Sequence, residues 1–290
     1  KWGGGGRHPP GSLVGRPHHR HALRLCKSAA EGKLMRRAAS ISAGAHVRAM
    51  QAVKPGMMEY QLEAEYIHEF MRHGSRSPAY PSIVGGGANS CILHYIENTG
   101  KLKAGDLVLV DAGCELEHYA SDITRTFPVS GTFSRPQQAV YGLVLASQYA
   151  AIEATHPDNH WNVPHEQVVN ILTQGLIDLG LLKGEFNELV ETEGYRQFFM
   201  HRTGHWLGLD VHDVGDYRIQ EQWRQLEPGM ALTVEPGLYV APDDTTVDEQ
   251  WRGIGIRIEG DVLVTKTGCE VLSHEVPKEV AEIEKIMKGS

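Results

Sequence analysis

The 290-residue chain predicts an α+β fold made of two like-built halves. Two observations carry that prediction. A pair of helix-like stretches precedes strand-like stretches twice along the chain, and two of the strand segments match each other without gaps. A third observation, a histidine and two carboxylates recurring in the same order in each half, says where chemistry would sit.

The first stretch is not part of either half. Residues 1–24 hold Lys1, Arg7, Arg16, Arg20 and Arg24 and no acidic side chain. Gly, Pro and His dominate up to residue 21, with too few apolar groups to offset the entropy of ordering them. Residues 1–24 are therefore read as a disordered or artefactual tail, and its His8, His18, His19 and His21 as no designed site. It also lacks the continuous apolar core of a signal peptide. The domain proper is expected over 25–290.

Residues 31–53 read as a helix, because Leu34, Ala38, Ile41, Ala45 and Ala49 recur at helical spacing and Lys54-Pro55-Gly56 stops the pattern. Tyr60 to Arg72 reads as a second helix ending at His73-Gly74. A strand follows at Leu107–Val110. The second half repeats the order, with helices over 136–154 and 165–179 and strands around 231–240 and 254–264. The segment LKAGDLVLVDAGCEL (102–116) lies without gaps on LEPGMALTVEPGLYV (226–240), which places Asp111 on Glu235. A second carboxylate follows each, Asp122 in SDITRTFPV and Glu259 in IRIEGDVLV. An apolar-flanked histidine precedes each, His94 in CILHY and His212 in LDVHD. The pattern is that of an ancient duplication, with four carboxylates brought towards one cleft.

Composition narrows the function classes. Hydrophobic residues are 41% and charged residues 22%, as in ordinary globular proteins. No apolar run approaches the ~18 residues needed to span a bilayer, so a membrane protein is not expected. The net charge of -8, more acidic still once the basic tail is set aside, argues against nucleic acid as a partner. The four cysteines (26, 91, 114, 269) form no CxxC pair, and their low density suits a reducing compartment such as the cytoplasm. GGGANS at 85–90 lacks the GxxxxGK[ST] spacing and reads as a flexible turn. His165-Glu166 is followed by Val169 where a zincin needs its second histidine.

The carboxylates themselves point to metal. Asp111 ends an apolar strand, and Glu235 does the same in its half; a buried carboxylate is costly unless a cation or strong donors satisfy it. Arg257 and Glu259 alternate with Ile256 and Ile258, so the charged pair shares one strand face and the apolar pair the other. Only Arg125 and Arg257 lie near in sequence to balance four carboxylates, and bound divalent ions resolve that conflict. The run MHRTGHWLGLDVHDVG adds His201, His205 and His212, from which one imidazole joins the set. Such a mainly hard-oxygen donor set suits Mn(II), Mg(II), Co(II) or Zn(II) over copper or iron–sulfur centres. Five ligands with bridging carboxylates suit two ions ~3.5–4 Å apart, which would hold a bridging water and lower its pKa from ~15.7 towards ~7.

From about Leu25 to Met287 the chain resembles the catalytic domain of the bacterial aminopeptidase P (Xaa-Pro aminopeptidase) family, in the pita-bread metallopeptidase superfamily. The segments that carry the resemblance are SCILHYIEN, LVLVDAGCELEHYASDITRTFPV, FFMHRTGHWLGLDVHDVG, LEPGMALTVEPGLYVAPD and RGIGIRIEGDVLVT. It implies two pseudo-symmetric halves with curved antiparallel sheets covered by helices. It implies Asp111, Asp122, His205, Glu235 and Glu259 as ligands of two ions, Mn(II) foremost, with Asp122 and Glu259 bridging or bidentate. Glu235 would double as general base; His94, His201 and His212 would bind substrate or stabilise the tetrahedral intermediate. Arg257 would support the cleft and Tyr80 would lie near the substrate. The implied reaction releases the first residue from peptides with proline second, an amide that carries no N–H. A prolidase-like dipeptidase and a non-catalytic binding protein on the same fold are the alternatives; the full ligand set favours catalysis. Members of the family carry a separate N-terminal domain that shapes oligomer contacts and part of the substrate pocket. That domain is read as absent here, which weakens any homo-oligomer while leaving the metal centre in place.

Overall fold

The computed structural model describes residues 21 and 23–289. Of the tail expected over 1–24, residues 1–20 and 22, with His8, His18 and His19, lie outside the described residues. Arg24, assigned to that tail, is joined to the domain by ion pairs with Asp210, at 2.7 Å, and with Asp213. The same Asp213 meets buried Lys27 at 3.0 Å.

The first half opens with α1 (Ala29–Ala52) and α2 (Glu59–Arg72). Ser28 and Glu31 form a capping box at the start of α1, satisfying amides that the helix cannot. Ala38, Ile41, Ala45 and Ala49 from the predicted stripe are buried, as expected. Among the strands that follow, β1 (Ile83–Gly86), β2 (Leu107–Asp111) and β3 (Thr124–Pro128) pair antiparallel with β2 in the centre. All five residues of β2 are buried, which is why its sequence is a plain apolar run ending in Asp111.

The second half repeats the plan with α3 (Arg135–Ala154), α4 (Val163–Asp178) and β4 (Ala231–Val234). The strand read over 231–240 is broken: β4 ends before Glu235, and β5 (Gly237–Tyr239) pairs instead with β6 (Gly255–Arg257). The strand read over 254–264 is broken likewise, with β7 (Gly260–Thr265) pairing antiparallel with β4 and with β8 (Gly268–Val271). A final helix, α5 (Val280–Lys288), which the sequence reading did not include, packs on α1 and buries Ile283. The result is the two-halved pita-bread arrangement of antiparallel sheets backed by helix pairs. GGGANS is not a flexible turn: it is the end of β1 running into a 3-10 turn, Gly87–Cys91. Buried Glu59 ties this loop down, accepting hydrogen bonds from Gly86 N, Asn89 Nδ2, Tyr95 Oη and Gly100 N at 2.6–2.9 Å.

Strand register refines the duplication. Asp111 pairs with Thr124, and Val234 pairs with Gly260. With Asp111 equivalent to Glu235, the residue equivalent to Glu259 is therefore Thr124 and not Asp122, which sits two positions earlier. By the same register Arg257 corresponds to Asp122, and Asp261 to Thr126. The halves meet along β3 and the segment 257–260. Glu259 N–H donates to Thr124 O at 3.1 Å, and Arg257 N–H donates to Thr126 Oγ1 at 3.2 Å. Arg125 points away from the carboxylates. Fully buried, it donates instead to the carbonyls of Thr124, Glu259, Val276 and Pro277 at 2.6–3.0 Å.

The glycine shared by the two matched segments allows close crossing beside each acidic residue. A Cβ on Gly113 would stand 1.8 Å from Ser121 O, and one on Gly237 2.9 Å from Ile256 O. Gly142, in α3, has nothing within 4 Å. Gly113→Ala is expected to lower unfolding free energy by about 1–3 kcal/mol. Gly142→Ala is expected to raise it by about 0.5–1 kcal/mol. Urea midpoints at unchanged slope read both, and equal midpoints would contradict the packing described.

Candidate metal centre

Both halves deliver their acidic residues to one cavity of about 310 Å³. Its walls include all ten residues singled out from the sequence: Tyr80, His94, Asp111, Asp122, His201, His205, His212, Glu235, Arg257 and Glu259. Pro81, Ile83, Leu93, Ile96 and Val211 supply an apolar rim. A larger cavity of about 640 Å³ opens elsewhere, beside Arg125, Tyr149 and Lys278, and contains none of the ten.

Asp111 closes β2, and its Oδ2 accepts from Arg257 Nη2 at 2.6 Å. Glu259 accepts from Thr124 Oγ1 at 2.5 Å and lies 3.9 Å from Arg257 Nε. Ile256 and Ile258, on the opposite face, are wholly buried in the core, as the alternation required. Glu235 follows β4; Thr233 Oγ1 donates to its Oε1 at 3.1 Å. His205 Nδ1 is 3.0 Å from Trp206 O, so the ring is oriented with Nδ1–H donating and Nε2 turned into the cavity. That Nε2 stands 3.2 Å from Asp122 Oδ2 and 3.6 Å from Glu235 Oε1. One ligand atom each from Asp122, His205 and Glu259 lies within 4.8 Å of the others.

The electrostatics are those of too many acids for one guanidinium. Burial raises the Glu235 carboxyl to about 7, with Asp122 and Asp111 adding to the rise against His205 and Arg257. Burial, then Asp122, Glu235 and Asp111, drive Glu259 well above the usual carboxylate range. Asp111 is raised by burial against the pull of Arg257. His205 loses from burial, but Asp122 and Glu235 outweigh that and lift it to about 9. Tyr80 Oη lies 2.6 Å from both Asp111 Oδ1 and Asp122 Oδ1. Its single proton serves one carboxylate at a time, leaving the other contact uncompensated. Four carboxylates, one imidazole nitrogen turned into the cavity among them and one uncompensated contact fit divalent cations of the hard-oxygen class.

The three other histidines differ. His201 is committed on both nitrogens, Nδ1 at 2.7 Å from Arg202 O and Nε2 at 2.9 Å from Tyr239 Oη. Burial, then Arg257, pushes it down to about 4, so it is neutral. His94 and His212 make no hydrogen bond among the described residues; His94 is exposed, and His212 packs edge-on to His205 at 4.2 Å. Tyr80, expected near the substrate, lines the cavity but spends its hydroxyl on the carboxylates.

Two residues at the site escaped the sequence reading. Tyr239 links Arg257 Nη1, at 3.0 Å, to His201. Asp261 is buried and accepts the Asp122 backbone N–H. Both stand in the quoted segments, and Asp261 differs from Glu259 by strand period alone, which was the available signal.

The profile of metallopeptidase family M24 matches residues 33–266. The Xaa-Pro aminopeptidase of Haemophilus influenzae is 54% identical over 91% of this chain and 61% of its own length. Among solved structures, that of Pseudomonas aeruginosa aminopeptidase PepP superposes with a TM-score of 0.94 at 57% identity, over 98% of this chain and 64% of that one. Aminopeptidase P from E. coli with the inhibitor Pro-Leu gives 0.91 at 53% identity, over 93% and 61%. The chain thus spans about three fifths of the length of these relatives.

A carboxyl or imidazole lifted above its usual range keeps its proton near neutrality, whereas a divalent ion binds only the deprotonated set. Loading therefore expels protons, and Mn(II) affinity is expected to weaken as pH falls from about 8 to about 6. Calorimetric titration in two buffers of different ionisation heat reads the released protons; identical heats in both would contradict this account.

Proposed function

The chain belongs to metallopeptidase family M24, and from that premise we propose that it releases the N-terminal residue from peptides with proline in second position. The observation that carries the proposal is the convergence of Asp122, His205 and Glu259 on one point, in a cavity that Asp111 and Glu235 also line. These five residues would hold two divalent ions, Mn(II) foremost. When bound, the ions supply Lewis-acid polarisation and acidify water.

The protein's own groups do the rest. Glu235 sits in the cavity beside His205 with one oxygen tied to Thr233. It would take a proton from the attacking water and return it to the proline nitrogen as the amide breaks, a task suited to a carboxyl lifted towards neutrality. His94 and His212 keep ring nitrogens free for the substrate backbone, while His201, locked by Tyr239, holds the Arg257 side of the cavity. Arg257 keeps Asp111 in place at 2.6 Å. The apolar rim of Pro81, Ile83, Leu93, Ile96 and Val211 would receive side chains that flank the scissile bond. The inhibitor Pro-Leu in the E. coli structure begins with the proline that the departing fragment of Xaa-Pro-Yaa would present. A cytoplasmic setting belongs to the same proposal; it is supported by four free cysteines, and no described helix is long and apolar enough to cross a membrane.

With Mn(II) added, the chain is expected to cleave Xaa-Pro-Yaa and to ignore Xaa-Ala-Yaa. Glu235→Gln should lower kcat about 10²-fold or more. Equal turnover by the variant and the parent sinks the proposal. Turnover of the dipeptide Xaa-Pro alone would move the assignment to a prolidase-like dipeptidase.

A further inference from the structure

At the seam between the halves, two backbone amides are each caught by a side chain from the facing strand. Thr126 Oγ1 accepts the Arg257 N–H at 3.2 Å. Asp261 accepts the Asp122 N–H with both carboxylate oxygens, at 3.1 and 3.2 Å. Strand register makes Arg257 equivalent to Asp122 and Thr126 equivalent to Asp261, so this is one contact made twice about the pseudo-twofold axis. One copy seats the guanidinium that grips Asp111. The other seats the carboxylate that converges with His205 and Glu259.

Asp261 is 1% exposed, and no Lys or Arg pairs with it among the described residues. Its side chain makes no hydrogen bond other than the one to Asp122 N among the described residues. Burying a carboxylate for a single backbone amide is costly. A neutral threonine does the same work at the equivalent position, so the seam alone does not require an acid there. Two oxygens straddling one N–H resist displacement of that amide to either side, which a single hydroxyl does not. Asp122 follows Ser121, whose carbonyl is already pressed against Gly113. The two contacts constrain the backbone at 121–122 from two directions.

We propose that Asp261 is a positioning residue for the metal centre: it fixes the Asp122 peptide so that the Asp122 carboxylate points at His205 and Glu259. The inference rests on the reading of Asp122 as a metal ligand. Such outer partners of ligands typically govern metal affinity by about 10–100-fold.

Asp261→Thr and Asp261→Val have the same shape and differ by one acceptor oxygen. Mn(II) binding to the full chain is measured by competition with a fluorescent chelator, with circular dichroism confirming that each variant is folded. Asp261→Thr, which keeps one acceptor but loses the straddling pair, is expected to bind more weakly than the parent and more tightly than Asp261→Val. Asp261→Val is expected to bind at least about 10-fold more weakly, with kcat reduced and KM unchanged. A folded Asp261→Val that binds Mn(II) as tightly as the parent overturns the proposal. If valine prevents folding, Asp261→Ala takes its place under the same criterion. A parent chain that itself binds no Mn(II) overturns the metal reading instead, which keeps the two failures apart.

Discussion

The structure is organised by the crowding of negative charge at the meeting line of its halves. Asp111, Asp122, Glu235 and Glu259 line one cavity, and among the described residues Arg257 is the one guanidinium in its walls. No packing of apolar side chains offsets that repulsion; cations or retained protons do. The hydrogen bonds around the cavity follow from this. Tyr80, Thr124, Thr233 and Arg257 each donate to a carboxylate, and each comes from a strand or loop already fixed by backbone pairing.

Much of this was legible in sequence because the fold uses its pattern twice. The apolar run before Asp111 and its gapless match before Glu235 marked two strands and two candidate ligands together. The end of α1 followed from an ordinary signal, Lys54-Pro55-Gly56, whereas its start at Ala29, behind the Ser28–Glu31 capping box, lies two residues before the position read. The failures cluster where the chain departs from regular strand. Continuous strands were read through 235 and 258–259, yet the ladders break there. Glu235 is followed by Pro236, and Glu259 marks the point where the chain passes from one sheet to another.

The pairing of Asp122 with Glu259 was off by two residues for a related reason. Sequence comparison sees residue type, and the acids are the conspicuous type; register sees position, and at the matching position stands Thr124. Tyr239 and Asp261 were passed over because a strand tyrosine and a strand aspartate announce nothing until their partners are known. The two nearby arginines could not be told apart either. Arg257 faces the acids, whereas Arg125, whose side chain leaves the opposite strand face, answers to four carbonyls.

The register places unlike residues at positions that a true twofold axis would make identical: Thr124 with Glu259, Asp122 with Arg257, Thr126 with Asp261. In a symmetric homodimer every such pair would be a self-pair. Glu259 would then face a second glutamate across the 2.5 Å contact it now makes with a hydroxyl. The guanidinium that steadies Asp111 could exist only by replacing the Asp122 carboxylate in both subunits at once. Joining the two copies in a single polypeptide removes that restriction. A lopsided centre, with donor and acid apportioned unequally between the lobes, is a property that covalent linkage makes available and that separate identical subunits are barred from reaching.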